Sequence, residues 1–160
     1  MKAGADEGTD NIPVIQLVTF SLAEERYGLN VMQVQEVLRV GEITPVPGSP
    51  SYVLGIINLR GNVVTVIDAR SHFGLPGAEI GPASRILIIE SERQVVGMLV
   101  DRVAEVVELA LEDIAPAPNL GNAESSRYIQ GVATLEGGLL VVVDLNNLLT
   151  EEEWEEVANL

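Results

Sequence analysis

Cysteine is absent from the 160-residue sequence, and its absence excludes disulfide bonds, thiolate zinc sites and cysteine nucleophiles together. It also fits a reducing compartment. No basic segment followed by an apolar stretch opens the chain, so we expect no signal peptide. Apolar runs such as residues 139–143 fall far short of the ~20 residues of a membrane-spanning helix. We therefore expect a soluble, cytoplasmic protein.

Aromatic residues are scarce as well. They make up only 4% of the chain, whereas 47% of its residues are hydrophobic, mostly Val, Leu and Ile. This apolar content excludes a disordered chain, and a chain of this length can bury a substantial core without disulfide bonds or metals. A β-branched, aliphatic interior fits pleated sheets better than a helical bundle.

Basic residues are few, because nine Lys and Arg stand against 24 Asp and Glu, which gives a net charge of −15. Such a charge repels phosphate backbones, so nucleic acid is not an expected partner. A nucleic-acid-binding barrel would also need stacking aromatics in a basic groove. Much of the acid lies in the tails: residues 1–12, which we expect to be disordered, and residues 151–160, predicted to form an acidic C-terminal helix behind Thr150 with Trp154 folded onto the body.

The most informative feature of the chain is an internal repeat. Residues 27–37 match residues 96–106, with Gly, Val, Val, Glu and Val at identical spacing. Three further matches follow in the same order: Pro45-Val46-Pro47 with Pro116-Ala117-Pro118, residues 52–61 with residues 128–137, and Asp68 with Asp144. Matches in one order indicate two copies of one pattern, at about 14–82 and 83–150.

Each copy has the pattern of short strands separated by turns. Residues 15–22 alternate as a strand, Tyr27 to Val31 return as its hairpin partner, and residues 56–67 form strand, turn and strand. Asp68 is predicted to open a short helix that runs through Phe73, and residues 144–149 to form its counterpart. Short strands at close spacing predict two similar small barrels packed side by side. Small barrels are filled by their own side chains, so function is expected outside them or in the seam between them.

The segment after Tyr27 can be interpreted in two ways. Asn30 is a candidate helix cap, since Val31, Val34 and Val37 share one face with Leu38 at helical spacing. A strand over the same residues is the alternative.

No group of residues suits catalysis. His72 is the sole histidine, which cannot form a usual zinc site without cysteine, and Ser71 cannot face it from the adjacent helical position. Asp68 and Asp144 are explained as helix caps, and Gly137-Gly138 lacks the Lys and Ser/Thr of a phosphate loop. We expect no enzyme activity, no cofactor and no metal.

Taken together, these motifs resemble those of the CheW family of bacterial chemotaxis coupling proteins. The most specific pieces are Tyr27-Gly28 followed by Val34-Gln35-Glu36-Val37, the stretch Gly55-Ile56-Ile57-Asn58-Leu59-Arg60-Gly61, and Val95-Val96-Gly97 through Val100-Asp101. The resemblance covers nearly the whole chain after the first dozen residues. The chain departs from the family pattern at Ala115-Pro116-Ala117-Pro118, because the Arg that often precedes this element in the family is absent here.

The resemblance implies an all-β fold of two five-stranded SH3-like barrels, so that residues 13–150 form a single CheW-like domain with a few short helices. It also implies an adaptor between the cytoplasmic tips of methyl-accepting chemoreceptors and the regulatory domain of the histidine kinase CheA, without membrane insertion of its own. The protein would then associate with membrane chemoreceptor arrays through these partners. The alternative is a coupling protein of a different chemosensory pathway, such as one controlling pili or gene expression.

Two sets of residues are expected to bind these partners. The receptor-binding set comprises Val31, Val34, Glu36, Val37 and Arg60. Glu36 and Arg60 are expected to approach each other, and the pair shapes a groove, aims the Arg at the receptor, or is an intramolecular salt bridge only. The kinase-binding set comprises Ile43, Val46 and Val63, apolar residues in loops or beside a turn where polar ones are usual.

Overall fold

The computed structural model describes residues 12–116 and 127–160. Ten strands dominate it: β1 (Val14–Leu22), β2 (Glu25–Asn30), β3 (Val34–Arg39), β4 (Val53–Leu59), β5 (Asn62–Asp68), β6 (Arg85–Glu90), β7 (Val95–Val100), β8 (Arg102–Ala110), β9 (Ile129–Leu135) and β10 (Gly138–Val143). Two α-helices follow strands, α1 (Ala69–His72) and α2 (Glu151–Ala158), and 3-10 helices span Val31–Gln33, Leu111–Asp113 and Leu145–Asn147.

The strands form two five-stranded sheets of the same topology. One sheet has the order β8-β1-β2-β10-β9, and the other has the order β3-β6-β7-β5-β4. In each sheet the central pair is parallel, β2 with β10 and β7 with β5, and the remaining pairs are antiparallel. The predicted all-β fold is thereby confirmed. We call the first sheet barrel A and the second barrel B.

Among the residues that the structure describes, each sheet closes on itself through one additional bridge. Beyond β3, Thr44 pairs with Ile56 of β4, and beyond β8, Ala115 pairs with Val132 of β9. The backbones approach closely at these points. A Cβ on Gly55 would lie 2.2 Å from the Thr44 carbonyl oxygen, and one on Gly131 would lie 2.6 Å from that of Ala115. Only glycine allows this approach, which explains why both copies carry it.

The barrels do not coincide with the two copies of the repeat. Barrel A combines the β1–β2 hairpin of the first copy with β8, β9 and β10 of the second, and barrel B combines β3, β4 and β5 with the β6–β7 hairpin. The division into subdomains at 14–82 and 83–150 is therefore corrected. Only Val31–Gln33 separates β2 from β3, and only Asp101 separates β7 from β8. The first connection is a three-residue 3-10 helix and the second is a single residue, and each carries the chain into the other barrel.

Three apolar clusters fill the part of the protein that the structure describes. Barrel B encloses a cluster around Val64, Val66, Ile86 and Ile88, and barrel A a smaller one around Leu17, Leu140 and Val142. The largest, which we call the central cluster, takes residues from both sheets and from both α-helices, including Phe20, Leu29, Ile67, Ala69, Leu87, Met98, Leu145, Trp154 and Val157. The seam between the barrels is thus a packed core.

The two interpretations of the segment after Tyr27 are each correct for part of it. Asn30 caps a 3-10 helix, where its Oδ1 accepts the Met32 N–H at 2.9 Å. From Val34 the chain is strand β3, in which half-buried and exposed residues alternate, so Val34 and Val37 do not share a face. An isolated helix of this length is marginal, whereas pairing with the buried strand β6 satisfies the backbone of β3.

The predicted caps form as expected. Asp68 accepts the Arg70 N–H at the start of α1, and Asp144 accepts the Asn146 N–H at the 3-10 helix of the second copy. At α2, Thr150 and Glu153 form a reciprocal capping box, and Trp154 is 2% exposed. Two expectations, the order of the tail over residues 1–11 and the role of Ala117-Pro118, lie outside the described residues.

Candidate functional site

The β4–β5 hairpin turns through Arg60 and Gly61, which have φ angles of 51° and 90°. Two successive residues of positive φ are typical of a type I′ turn, whose twist suits a two-residue hairpin. Asn58 Oδ1 accepts the Gly61 N–H at 2.9 Å and fixes the turn. Arg60 therefore lies at the tip of the hairpin, with a side chain that is 69% exposed.

The Arg60 guanidinium forms an ion pair with the carboxylate of Glu36 on β3. A second guanidinium nitrogen lies 3.5 Å from Glu36 Oε1. Since β3 and β4 are the first and last strands of the sheet order, closure of barrel B brings the two residues together. The hydrogen bond from Arg60 lowers the pKa of Glu36, and the same bond raises the pKa of Arg60. The pair is exposed and contributes little to folding, so it is free to serve recognition.

The three valines of the expected receptor-binding set have different surroundings. Val31 and Val34 are half-buried and pack against the central cluster. Val37 is 43% exposed on the opposite face of β3. The first two therefore have a packing role, whereas Val37 leaves apolar surface open to solvent.

The expected kinase-binding set is also divided. Ile43 packs against the interior cluster of barrel B, and its Cγ2 lies 3.0 Å from a Cβ built on Gly55. Val63 is 67% exposed beside the β4–β5 turn, and Val46 is half-buried. Val46 and Val63 line one groove of about 550 Å³ that extends to Val157 and Leu160 at the end of α2. None of the described residues that line this groove has a charged side chain.

A second hollow links the two sets. It has a volume of about 350 Å³ and is lined by Gln35, Leu59, Arg60, Asn62, Val63, Val64 and Val95. Arg60 of one set and Val63 of the other thus border the same depression. The two sets meet on barrel B, at the tip of a single hairpin.

Barrel A lacks the equivalent arrangement. Glu136 holds the repeat position of Arg60, and its backbone oxygen accepts a hydrogen bond from Arg26 at 3.2 Å. Leu139, at the repeat position of Val63, is 59% exposed. The two barrels share an exposed aliphatic residue after this turn, and barrel B alone adds the Arg60–Glu36 pair.

Sequence reasoning missed an ion pair between the two copies. Asp101 accepts hydrogen bonds from Arg70 Nε at 2.8 Å and Nη2 at 2.6 Å, and from the Ala23 N–H at 2.8 Å. These bonds lower the pKa of Asp101, the Arg70 side chain having the largest effect. No pattern in the sequence links residues so far apart. Asp101 is the connecting residue between β7 and β8, a position that only the structure shows.

Several aromatic residues form a cluster that the sequence did not predict. Phe73 stacks on Tyr128 with ring centroids 4.4 Å apart, and the His72 ring lies between Tyr52 and Tyr128. Burial raises the pKa of Tyr27 to about 12. The His72 Nε2 contacts the Leu148 carbonyl oxygen. His72, the last residue of α1, therefore ties that helix to the second copy.

Comparison with known proteins identifies the family. Residues 16–153 match the CheW-like domain. The chain belongs to the CheW family. It is 34% identical to the chemotaxis protein CheW of Treponema pallidum, over 91% of this chain and 88% of that protein, and 32% identical to CheW of Klebsiella aerogenes, over 91% and 87%. The crystal structure of the scaffolding protein TtCheW from Thermoanaerobacter tengcongensis is similar, with a TM-score of 0.80 and 34% identity over 88% of this chain and 96% of that one.

The CheW membership confirms the predicted role in chemotaxis as a coupling scaffold, and the alternative of a different pathway is not favoured by the relatives' names. It also places the chain among scaffold proteins, in keeping with the expectation that it is not an enzyme. No helix within 12–116 and 127–160 is long and apolar enough to cross a membrane. The same residues contain no group of three or more acidic or histidine side chains placed to hold a metal.

Proposed function

We propose that the protein couples the cytoplasmic tips of chemoreceptors to the histidine kinase CheA within membrane-associated arrays, and that it does so without catalysis. The observation that carries the proposal is the Arg60–Glu36 pair, which lies beside the exposed Val63 at the tip of one hairpin. An oriented guanidinium and an apolar surface lie side by side here. This arrangement suits a protein that must hold two partners, the receptor and the kinase, in contact.

The receptor is proposed to bind the side of barrel B where Arg60 of the β4–β5 turn meets Glu36 of β3, with Val31, Val34 and Val37 supporting or extending that surface. Arg60 suits this role because its planar guanidinium can engage Glu36 and still offer further N–H donors to a partner. The backbone of the turn is fixed by Asn58, so the guanidinium starts from a defined position. The role of the Arg60–Glu36 pair is then to orient the guanidinium toward the receptor.

The kinase regulatory domain is proposed to bind the apolar side, through Val46 and Val63, with Ile43 supporting the loop from within barrel B. Exposed aliphatic residues that line a groove without charged side chains provide the buried centre that protein interfaces need. This surface and the receptor surface share the hollow beside Arg60 and Val63. Contact with one partner can thereby influence the other.

A paired set of variants tests the proposal in a three-way reconstitution with receptor and kinase. Arg60→Ala should leave kinase binding within about twofold of the parent protein and abolish receptor-dependent control of the kinase. Val63→Asp should weaken kinase binding by about tenfold or more, since it places a charge in the apolar contact. The measurements are kinase affinity by calorimetry and kinase activity with receptor present.

Arg26→Ala provides the matched control, because Arg26 is an arginine of barrel A, where its side chain donates to the Glu136 carbonyl oxygen at 3.2 Å. It should behave as the parent in both assays. Full receptor control by Arg60→Ala would refute the receptor assignment, and unchanged kinase affinity of a folded Val63→Asp would refute the kinase assignment.

A further inference from the structure

Two short connections carry the chain from one barrel to the other. The first is the 3-10 helix Val31–Gln33 between β2 and β3, and the second is Asp101 between β7 and β8. Within the repeat, Met32 holds the position of Asp101. A position that is acidic and structural in one copy is therefore apolar in the other.

The two connections are stabilised differently. At the second, Asp101 accepts the Ala23 N–H at 2.8 Å and is itself held by Arg70. At the first, the equivalent N–H is that of Glu92, and Asn146, at the repeat position of Arg70, accepts it directly at 2.9 Å. One amide side chain thus replaces the ion pair. The side chain at position 32 takes no part in this contact, so it is not required to stabilise the first connection in the way that Asp101 stabilises the second.

Met32 is the most exposed of the large hydrophobic side chains in the described residues, at 86%. Its backbone does not move freely, because Asn30 Oδ1 accepts its N–H at 2.9 Å. Val31 before it and Val34 after it pack against the central cluster. The connection therefore holds the apolar Met32 side chain in solvent on a backbone that is fixed in place. A polar residue at this position would suit folding equally well.

We propose that Met32 is an apolar anchor through which the protein binds the receptor tip, an inference that rests on the proposed function. Met32 lies on the connection that leads into β3, where Val34, Val37 and Glu36 of the proposed receptor surface follow. An unbranched thioether side chain adapts to irregular apolar hollows. A few well-placed apolar residues supply most of the energy of an interface, and Met32 adds one such residue to a surface that otherwise offers an ion pair and partly buried valines.

The test measures the affinity of the full chain for a receptor signalling fragment by calorimetry. Met32→Gln keeps the length of the side chain and makes it polar, and it should weaken receptor binding by about tenfold. Met32→Leu keeps the apolar character and should bind within twofold of the parent. Ile80→Gln is the matched control, since Ile80 is also exposed, at 50%, in the loop between α1 and β6.

Oxidation gives an independent readout of the same side chain. Hydrogen peroxide transfers one oxygen atom to a thioether sulfur and leaves as water, which turns an apolar side chain into a polar sulfoxide. Met98 is 0% exposed and protected. Peroxide treatment should therefore lower receptor affinity of the parent protein and leave that of Met32→Leu unchanged.

The outcomes separate the inference from the function on which it rests. Parent-like receptor affinity of Met32→Gln overturns the anchor and leaves the coupling function standing. Reduced kinase affinity of Met32→Gln with receptor affinity intact assigns Met32 to the other partner and also overturns the inference. A parent protein that binds no receptor fragment overturns the proposed function, and the anchor with it.

Discussion

At the scale of single residues, Asp101 shows how one side chain can hold three segments together. Its carboxylate accepts hydrogen bonds from α1 through Arg70 and from the β1–β2 turn through Ala23, while its backbone joins β7 to β8. The Arg70 side chain is 18% exposed and that of Asp101 32%. Arg70 also donates to the Pro76 carbonyl oxygen at 2.8 Å. Loss of the carboxylate would leave a half-buried guanidinium without its anionic partner.

We predict that Asp101→Asn lowers the free energy of unfolding at pH 7 by about 1.5–3 kcal/mol, the range for hydrogen bonds to charged groups. Because the pKa of Asp101 is lower in the folded than in the unfolded protein, its contribution is present above the unfolded pKa of about 3.9. It is lost as the pH falls below that value through the folded pKa. Urea unfolding at pH 7 and at pH 3 measures the effect.

The difference between parent and Asp101→Asn should be large at pH 7 and should shrink at pH 3. Glu36→Gln serves as the comparison, because Glu36 also has a lowered pKa but lies in an exposed pair. Equal stability of Asp101→Asn and parent at pH 7 would show that the ion pair does not hold the segments together.

At the scale of structural elements, the closure of each barrel depends on one glycine. Gly55 has a φ of 154°, in the region that favours glycine, and the Thr44 carbonyl oxygen occupies the space of its missing side chain. The Thr44 and Ile56 backbones exchange two hydrogen bonds of 2.9 Å at this point. Since closure brings β3 beside the β4–β5 hairpin, it also sets the distance between Glu36 and Arg60.

Gly55→Ala should therefore destabilise the protein by roughly 2–4 kcal/mol, through steric overlap and backbone strain together. It should also weaken receptor-dependent kinase control, because the bridge that aligns Glu36 with Arg60 opens. Gly41→Ala is the control, since a Cβ at Gly41 meets nothing within 4 Å. Thermal unfolding of both variants gives the measurement, and equal stabilities would contradict the steric argument.

Helix α2 illustrates how a polar segment can complete a core. Its first turn carries three glutamates and a capping box that suit the N-terminus of a helix. Trp154 and Val157 enter the central cluster, and Tyr52 Oη donates to Glu156 Oε1 at 3.0 Å. Arg93 adds an ion pair to Glu151. The helix thus covers the seam and forms one wall of the groove beside Val63.

At the scale of the whole molecule, the two barrels exchange hairpins between the copies of the repeat. Each parallel pair, β2 with β10 and β5 with β7, joins one copy to the other at the middle of a sheet. Neither copy alone can form a closed five-stranded sheet of this order. The molecule therefore folds as one unit, although its sequence is duplicated.

We predict that fragments cut within the loop between α1 and β6, at residues 79 and 80, are each unfolded when produced separately. Mixing them should restore the fold, because the exchanged hairpins then find their sheets. Amide dispersion in heteronuclear NMR spectra of each fragment and of the mixture gives the readout. A well-dispersed spectrum of residues 1–79 alone would show that the first copy closes a barrel of its own.

Patterns along the chain were enough to predict the two-barrel architecture and much of the local structure. The repeat predicted two similar barrels, Asp68, Asp144 and Thr150 were identified as caps, and the spacing of strands and turns marked the β4–β5 hairpin. These features depend on neighbours along the chain, so local composition and periodicity reveal them. The approach of Glu36 to Arg60 was also predicted, on the family resemblance.

The folded structure was needed to show which strands share a barrel, because a twofold repeat fits closed copies and exchanged hairpins equally well. It also showed that residues 34–39 form a strand. Hydrogen bonds to β6 satisfy the backbone of this segment, and they stabilise it more than a short helix would. It likewise decided the pairing of Arg70 with Asp101 and the exposure of Met32. Each of these depends on contacts between residues distant in sequence, whose free energy is set by closure and packing of the whole chain.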